Sequence, residues 1–142
     1  MKKTLLLLAP LCLFALPVLA VSPAPMCTSQ TTAGYWGYTC QGEVYGEPVR
    51  LLGTCTSSKG AYWDCAGTFK MSTFAAPQTL QGTATNEANC TGKIDYTVNS
   101  DNDQHLYINY VIYDHGDTIQ GLPTNDGFVV SCSLKRISRP AE

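Results

Sequence analysis

His105-Leu-Tyr-Ile-Asn-Tyr-Val-Ile-Tyr113 decides the fold class. Leu106, Ile108, Tyr110 and Ile112 recur at period two, while His105, Tyr107, Asn109, Val111 and Tyr113 form a more polar, largely aromatic opposite set. Strict alternation of this kind is a strand with one face in a core. Asp114-His-Gly-Asp117 follows as a turn, with Gly116 suited to positive φ, and leads into a partner strand over 118–121. A final strand is expected over 128–137, where Phe128, Val130, Cys132 and Leu134 share a face with Arg136 and alternate with Val129, Ser131, Ser133, Lys135 and Ile137. Cys132 should therefore point inward.

The same grammar extends toward the N-terminus. Thr-, Tyr- and Val-rich runs predict strands over 37–44, 49–54, 66–72, 79–85 and 93–98. Cys40-Gln-Gly-Glu-Val44, Cys65-Ala-Gly-Thr-Phe69 and Cys90-Thr-Gly-Lys-Ile94 repeat a Cys-x-Gly-x-apolar phrase, and Glu47-Pro-Val-Arg-Leu-Leu-Gly-Thr54 resembles Ala76-Pro-Gln-Thr-Leu-Gln-Gly-Thr83. The two sets have different offsets, so they read as repeated hairpins rather than a solenoid, with Gly42, Gly67 and Gly92 at bends, bulges or close strand crossings. Helical signal is poor, and a single turn over 86–89 is the best candidate. The expectation is an all-β domain, a small disulfide-stabilised antiparallel β-sandwich or partly closed β-barrel of about seven or eight strands.

Of the 142 residues, the first twenty read as an export signal. Lys2 and Lys3 precede an apolar run ending at Leu19, with cleavage expected after Ala20. Pro10 and Pro17 interrupt that run, which is short for a span of about 20 residues. The domain reading is a signal peptide over 1–20, a flexible lead-in over 21–26 and a single secreted β domain over 27–142. Without Lys2 and Lys3, seven basic side chains face eleven acids, a net charge of −4. That balance argues against nucleic acid, since a polyanion requires several cationic contacts. The cluster Lys135, Arg136 and Arg139 reads as a solvated segment closing the last strand. No membrane association is expected once the signal is removed, and the localisation is secreted or periplasmic.

Cys12 leaves with the signal, so Cys27, Cys40, Cys55, Cys65, Cys90 and Cys132 remain, an even set in an exported chain. Three disulfides are expected. Six cysteines allow fifteen pairings, and spacing does not choose among them. The absence of a Cys-x-x-Cys pair argues against zinc, iron–sulfur and thioredoxin-like chemistry.

Tyr35, Trp36, Tyr62, Trp63, Tyr107, Asn109 and Tyr113 are the binding candidates. Within Tyr35-Trp36 and Tyr62-Trp63, adjacent rings face opposite ways, one to the core and one to solvent, where exposed rings could stack on sugars or anchor a protein. Asn89-Cys90-Thr91 fits the N-glycosylation acceptor pattern at Asn89. The acids Asp101, Asp103, Asp114, Asp117 and Asp126 read as turn formers rather than a calcium loop, so no metal and no cofactor are assigned. His105 and His115, with Asp114, Asp117 or Glu43, hold the minimum equipment for acid–base hydrolysis, without any recognisable nucleophile or phosphate motif.

These features favour a secreted non-enzymatic recognition protein that binds a protein or glycan outside the cytoplasm. Inhibition of an extracellular or periplasmic enzyme is one concrete form. A carbohydrate-binding protein using Trp36 or Trp63 and a small acid–base hydrolase using His105 or His115 are the alternatives.

Overall fold

The computed structural model describes residues 26–59 and 61–140. The expected signal peptide and most of the lead-in lie outside the described residues. Eight strands follow one another: β1 (Gly34–Val44), β2 (Glu47–Ser58), β3 (Tyr62–Met71), β4 (Phe74–Asn86), β5 (Thr91–Val98), β6 (Asp101–Tyr113), β7 (Thr118–Pro123) and β8 (Phe128–Ser138). Each pairs antiparallel with the next, and β8 returns to β1, so the sheet closes into an up-and-down barrel. Every strand read from the sequence is present, most with added residues at one or both ends. The open choice between sandwich and barrel resolves to a closed barrel, an arrangement without free sheet edges. The turn expected over 86–89 forms as a reverse turn rather than a helical one, with the Cys90 amide donating to Glu87 O at 2.9 Å. Asn86 ends β4, and Asn89 instead accepts hydrogen bonds on its side-chain oxygen from the Thr91 amide and hydroxyl.

Alternation drives the inward face. Trp36, Tyr38, Cys40 and Val44 on β1, Trp63 and Cys65 on β3, and Leu106, Tyr110 and Ile112 on β6 are buried, as are Val130 and Cys132 on β8. The outward face carries charged Arg50, Lys70, Lys93 and Asp95 beside exposed apolar residues such as Leu52, Leu122 and Val129. No helix among the described residues is long and apolar enough to cross a membrane. Two disulfides join residues directly opposed in register: Cys40–Cys132 staples the β1–β8 seam that closes the barrel, and Cys55–Cys65 staples β2 to β3. Cys27–Cys90 ties the chain ahead of β1 to the β4–β5 turn. On the chain-entropy view the two long loops are each worth about 4 to 5 kcal/mol and the short one about 3. Such bridges are compatible with an oxidising compartment.

One end of the barrel is plugged. A 3₁₀ turn at Ser29–Thr32 crosses beneath it, and the buried Trp36 indole donates its Nε1–H to Thr32 O at 3.0 Å. Trp63 packs against Trp36 with ring centroids 5.9 Å apart. Arg136, expected in a solvated terminal segment, is the correction here. Its side chain is only 5% exposed, and its guanidinium lies 4.2 Å from the Trp36 ring centre. It donates to the carbonyls of Ala33, Thr31 and Gly116, and through Nε to Asp117 at 2.9 Å. The planar fork is what reaches three carbonyls on two segments while stacking on a ring, geometry that a lysine ammonium does not provide. Burial lowers the Arg136 pKa, and the Asp117 hydrogen bond opposes that shift. Asp117 is half exposed, so screening weakens the ion pair and the buried carbonyl contacts carry more of the stabilisation. Arg136→Met, which keeps the apolar stem but strands those carbonyls, is expected to cost about 3 kcal/mol of unfolding free energy in a denaturant titration. Arg136→Lys should recover less than half of that loss.

Candidate functional site

The end opposite the Trp36 plug is open. The turns after β1, β3, β5 and β7 surround a mouth into a lumen of about 780 Å³. Its walls are Leu51, Phe69, Leu80, Val98, Leu106, Ile108 and Val130, with the Cys40, Cys55, Cys65 and Cys132 sulfurs. Tyr45, Phe74 and Pro123 stand at the rim. The volume falls within the few hundred to a thousand Å³ usual for small-molecule sites. An eight-stranded barrel is wide enough either to be filled by side chains or to hold one small ligand. Here small residues leave the space: Ala76 lies on the β4 wall, and Gly53 and Gly67 stand opposite one another on β2 and β3.

Those two glycines seat a tyrosine. A Cβ at Gly67 would fall 2.4 Å from the Tyr38 hydroxyl, and one at Gly53 would fall 2.8 Å from the ring, so Tyr38 lies against the wall rather than across the lumen. Gly92 serves Tyr110 in the same way, which accounts for two of the three Cys-x-Gly phrases. The rim is held by hydrogen bonds. Asn125 accepts from the Tyr107 amide at 2.8 Å and donates to His105 O at 2.8 Å, the Tyr45 amide donates to Gly127 O, and Asn99 bonds Thr79 through both backbone and side chain.

Polar groups inside the lumen are few. Tyr38 OH and Gln78 Oε1 are buried without a hydrogen-bond partner, as are Ser57 Oγ and Trp63 Nε1 near the plug. The Tyr96 hydroxyl lies 3.6 Å from Cys65 Sγ, and because that sulfur is in a disulfide the phenol is the donor. Tyr110, outside the lumen lining and toward the plug, donates its proton to Asn86 Oδ1, with Thr85 O 3.3 Å away. Burial raises the pKa of Tyr38, pushes Tyr110 up to about 12, and raises Tyr96 further, with added repulsion from Tyr110 and Tyr38. No Lys or Arg lines the lumen, while Asp103, Asp126 and His105 stand toward the mouth.

The residues singled out from the sequence disperse. Trp36 and Trp63 are 0% and 1% exposed, so neither presents a ring to a sugar or a partner at the surface. Their neighbours Tyr35 and Tyr62 are exposed, as the alternation requires, and so are Tyr107, Asn109 and Tyr113. These side chains occupy β1, β3 and β6, with other strands between. His105 bonds Asp95 at 2.7 Å and stacks on Tyr107, whereas His115 sits in the turn after β6, beyond its other end. Asp117 is bound to Arg136 and Arg139, and Asp114 accepts from Thr118. The histidines and these acids therefore do not converge on one pocket. Among the described residues, no three His, Cys, Asp or Glu side chains gather as a cation site. Asn89 is exposed at the β4–β5 turn.

Comparison with known proteins brings no match: no protein-family model fits the chain, and no curated protein matches it.

The buried phenols set an alkaline limit. Their folded pKa values lie above the unfolded value near 10, so their contribution is complete below pH 10 and is lost as pH rises through the folded pKa. For Tyr110 that window runs from 10.0 to about 12. The melting temperature should fall steadily above pH 10, and Tyr110→Phe should flatten the fall.

Proposed function

We propose that the protein is a non-enzymatic binding protein that holds one small, predominantly apolar molecule inside the barrel. The observation that carries this reading is the lumen of about 780 Å³, apolar along its walls, plugged at the Trp36 end and open at the other. Burying about 300 Å² of apolar ligand surface at about 25 cal/mol per Å² is worth about 7 kcal/mol. Before ordering costs, that corresponds to binding on the order of micromolar. The disulfide across the β1–β8 seam and the latched rim hold the cup in shape before a ligand arrives, which limits the ordering cost.

Recognition of a protein or glycan outside the cytoplasm, enzyme inhibition included, is a second reading. It draws support from exposed apolar side chains at the rim, Tyr45 and Phe74, rather than from the tryptophans. A cup presenting its rim to a partner would use those rings as anchors.

Titration with the neutral fluorescent dye phenylnaphthylamine tests the lumen reading. One dye molecule should bind per chain, and Ala76→Trp, which fills the lumen from the β4 wall, should weaken binding at least about tenfold with the melting temperature little changed. Absence of saturable binding, or affinity indifferent to Ala76→Trp in a folded variant, would contradict it.

A further inference from the structure

Two of the buried polar atoms without a protein partner face one another's neighbourhood midway down the lumen. The Tyr38 ring crosses Gly53 and ends with its hydroxyl over Gly67, and Gln78 is the register partner of Gly67 on β4. The Tyr38 hydroxyl and residue Gln78 thus stand at the same level on the β3–β4 side of the wall, and both residues line the cavity. Tyr38 is 4% exposed. Ser57 and Trp63 are also unpartnered, but they oppose each other in register by the plug and lie outside the lining of the main lumen.

A buried polar group that gains no hydrogen bond is a standing cost to the fold, and a partner supplied by a bound molecule would relieve it. Tyr38 OH can donate or accept, whereas Gln78 Oε1 can only accept. A hydroxyl satisfies both at once, accepting from the phenol and donating to the carboxamide oxygen. Its charge must be zero. The lumen offers no Lys or Arg to neutralise a carboxylate or phosphate, and Asp103 and Asp126 toward the mouth repel an anion on its way in. Burial keeps the Tyr38 and Tyr96 phenols protonated, so they supply hydrogen bonds rather than charge.

Resting on the lumen reading above, we infer that the ligand is an uncharged, largely apolar alcohol whose hydroxyl is held between Tyr38 OH and Gln78 Oε1. The rest of the ligand fills the apolar wall between this pair and the rim.

Competition against bound phenylnaphthylamine tests this with three matched compounds: dodecanol, its methyl ether and dodecanoate. The methyl ether keeps the acceptor and removes the donor, and dodecanoate adds a charge. Dodecanol should displace the dye at about tenfold lower concentration than either, the effect expected of one buried hydrogen bond. In Tyr38→Phe and Gln78→Leu, with dye affinity re-measured on each variant, the advantage of dodecanol over the ether should shrink to less than about threefold. Equal displacement by alcohol and ether, stronger displacement by dodecanoate, or an alcohol preference that survives both substitutions would overturn the inference while leaving the lumen reading intact. Failure of the dye itself to bind the wild-type protein would remove the lumen reading, and this inference with it.

Discussion

A buried arginine turns a tube into a cup. A closed sheet of eight strands has two ends, and here the Trp36–Trp63 pair fills only one of them. Arg136 provides the asymmetry: its guanidinium covers the Trp36 ring and binds carbonyls from the 3₁₀ turn and from the β6–β7 turn. The cation is kept in the interior by a π-face and several acceptors, an arrangement that offsets desolvation better than one carboxylate would. Asn86 reinforces the same end by donating to Thr28 O and Thr32 Oγ1, and Cys27–Cys90 fastens the crossing segment covalently. With that end sealed, the opposite mouth is the route left into the lumen.

The interior above the plug stays partly empty because large side chains lie along the wall. Tyr38 rests on Gly53 and Gly67, and Tyr110 rests on Gly92. A Cβ at Gly53 or Gly67 would clash with Tyr38 as well as with the facing strand, so the ring could not lie where it does. Glycine in a strand loses packing and conformational entropy, and the cross-strand bridges Cys40–Cys132 and Cys55–Cys65 stand on the same strands that carry Gly42, Gly53 and Gly67. Volume for a ligand is thus obtained at a cost in local stability that covalent staples offset.

Much of the barrel is written in local alternation. The inward set of β6 and the inward position of Cys132 follow from period two alone, and the turn with Gly116 at φ 93° follows from Asp114-His-Gly-Asp117. Closure is not local, because β1 meets β8 through contacts such as Cys40–Cys132, 92 residues apart. The aromatic pairs were half legible. One ring of each pair is buried, and parity with Cys40 and Cys65 assigns Trp36 and Trp63 to the interior, yet both tryptophans stood among the surface binding candidates. Arg136 shares the parity of Val130, Cys132 and Leu134, a signal that its charge obscured: a cation at the end of an apolar face reads as solvated unless its acceptors are known. Those acceptors are backbone carbonyls of Thr31, Ala33 and Gly116, invisible to any side-chain pattern. The lumen itself is a property of ring orientation, which no composition records.

Anomalous scattering from crystals soaked with bromodecane would locate an apolar guest directly. A cup sealed by Arg136 and Trp36 predicts a single bromine peak inside the barrel, on the mouth side of the tryptophan pair and beside Leu80 or Val130. Bromine bound only on the outer face of the sheet, or on the Arg136 side of Trp36, would contradict the account.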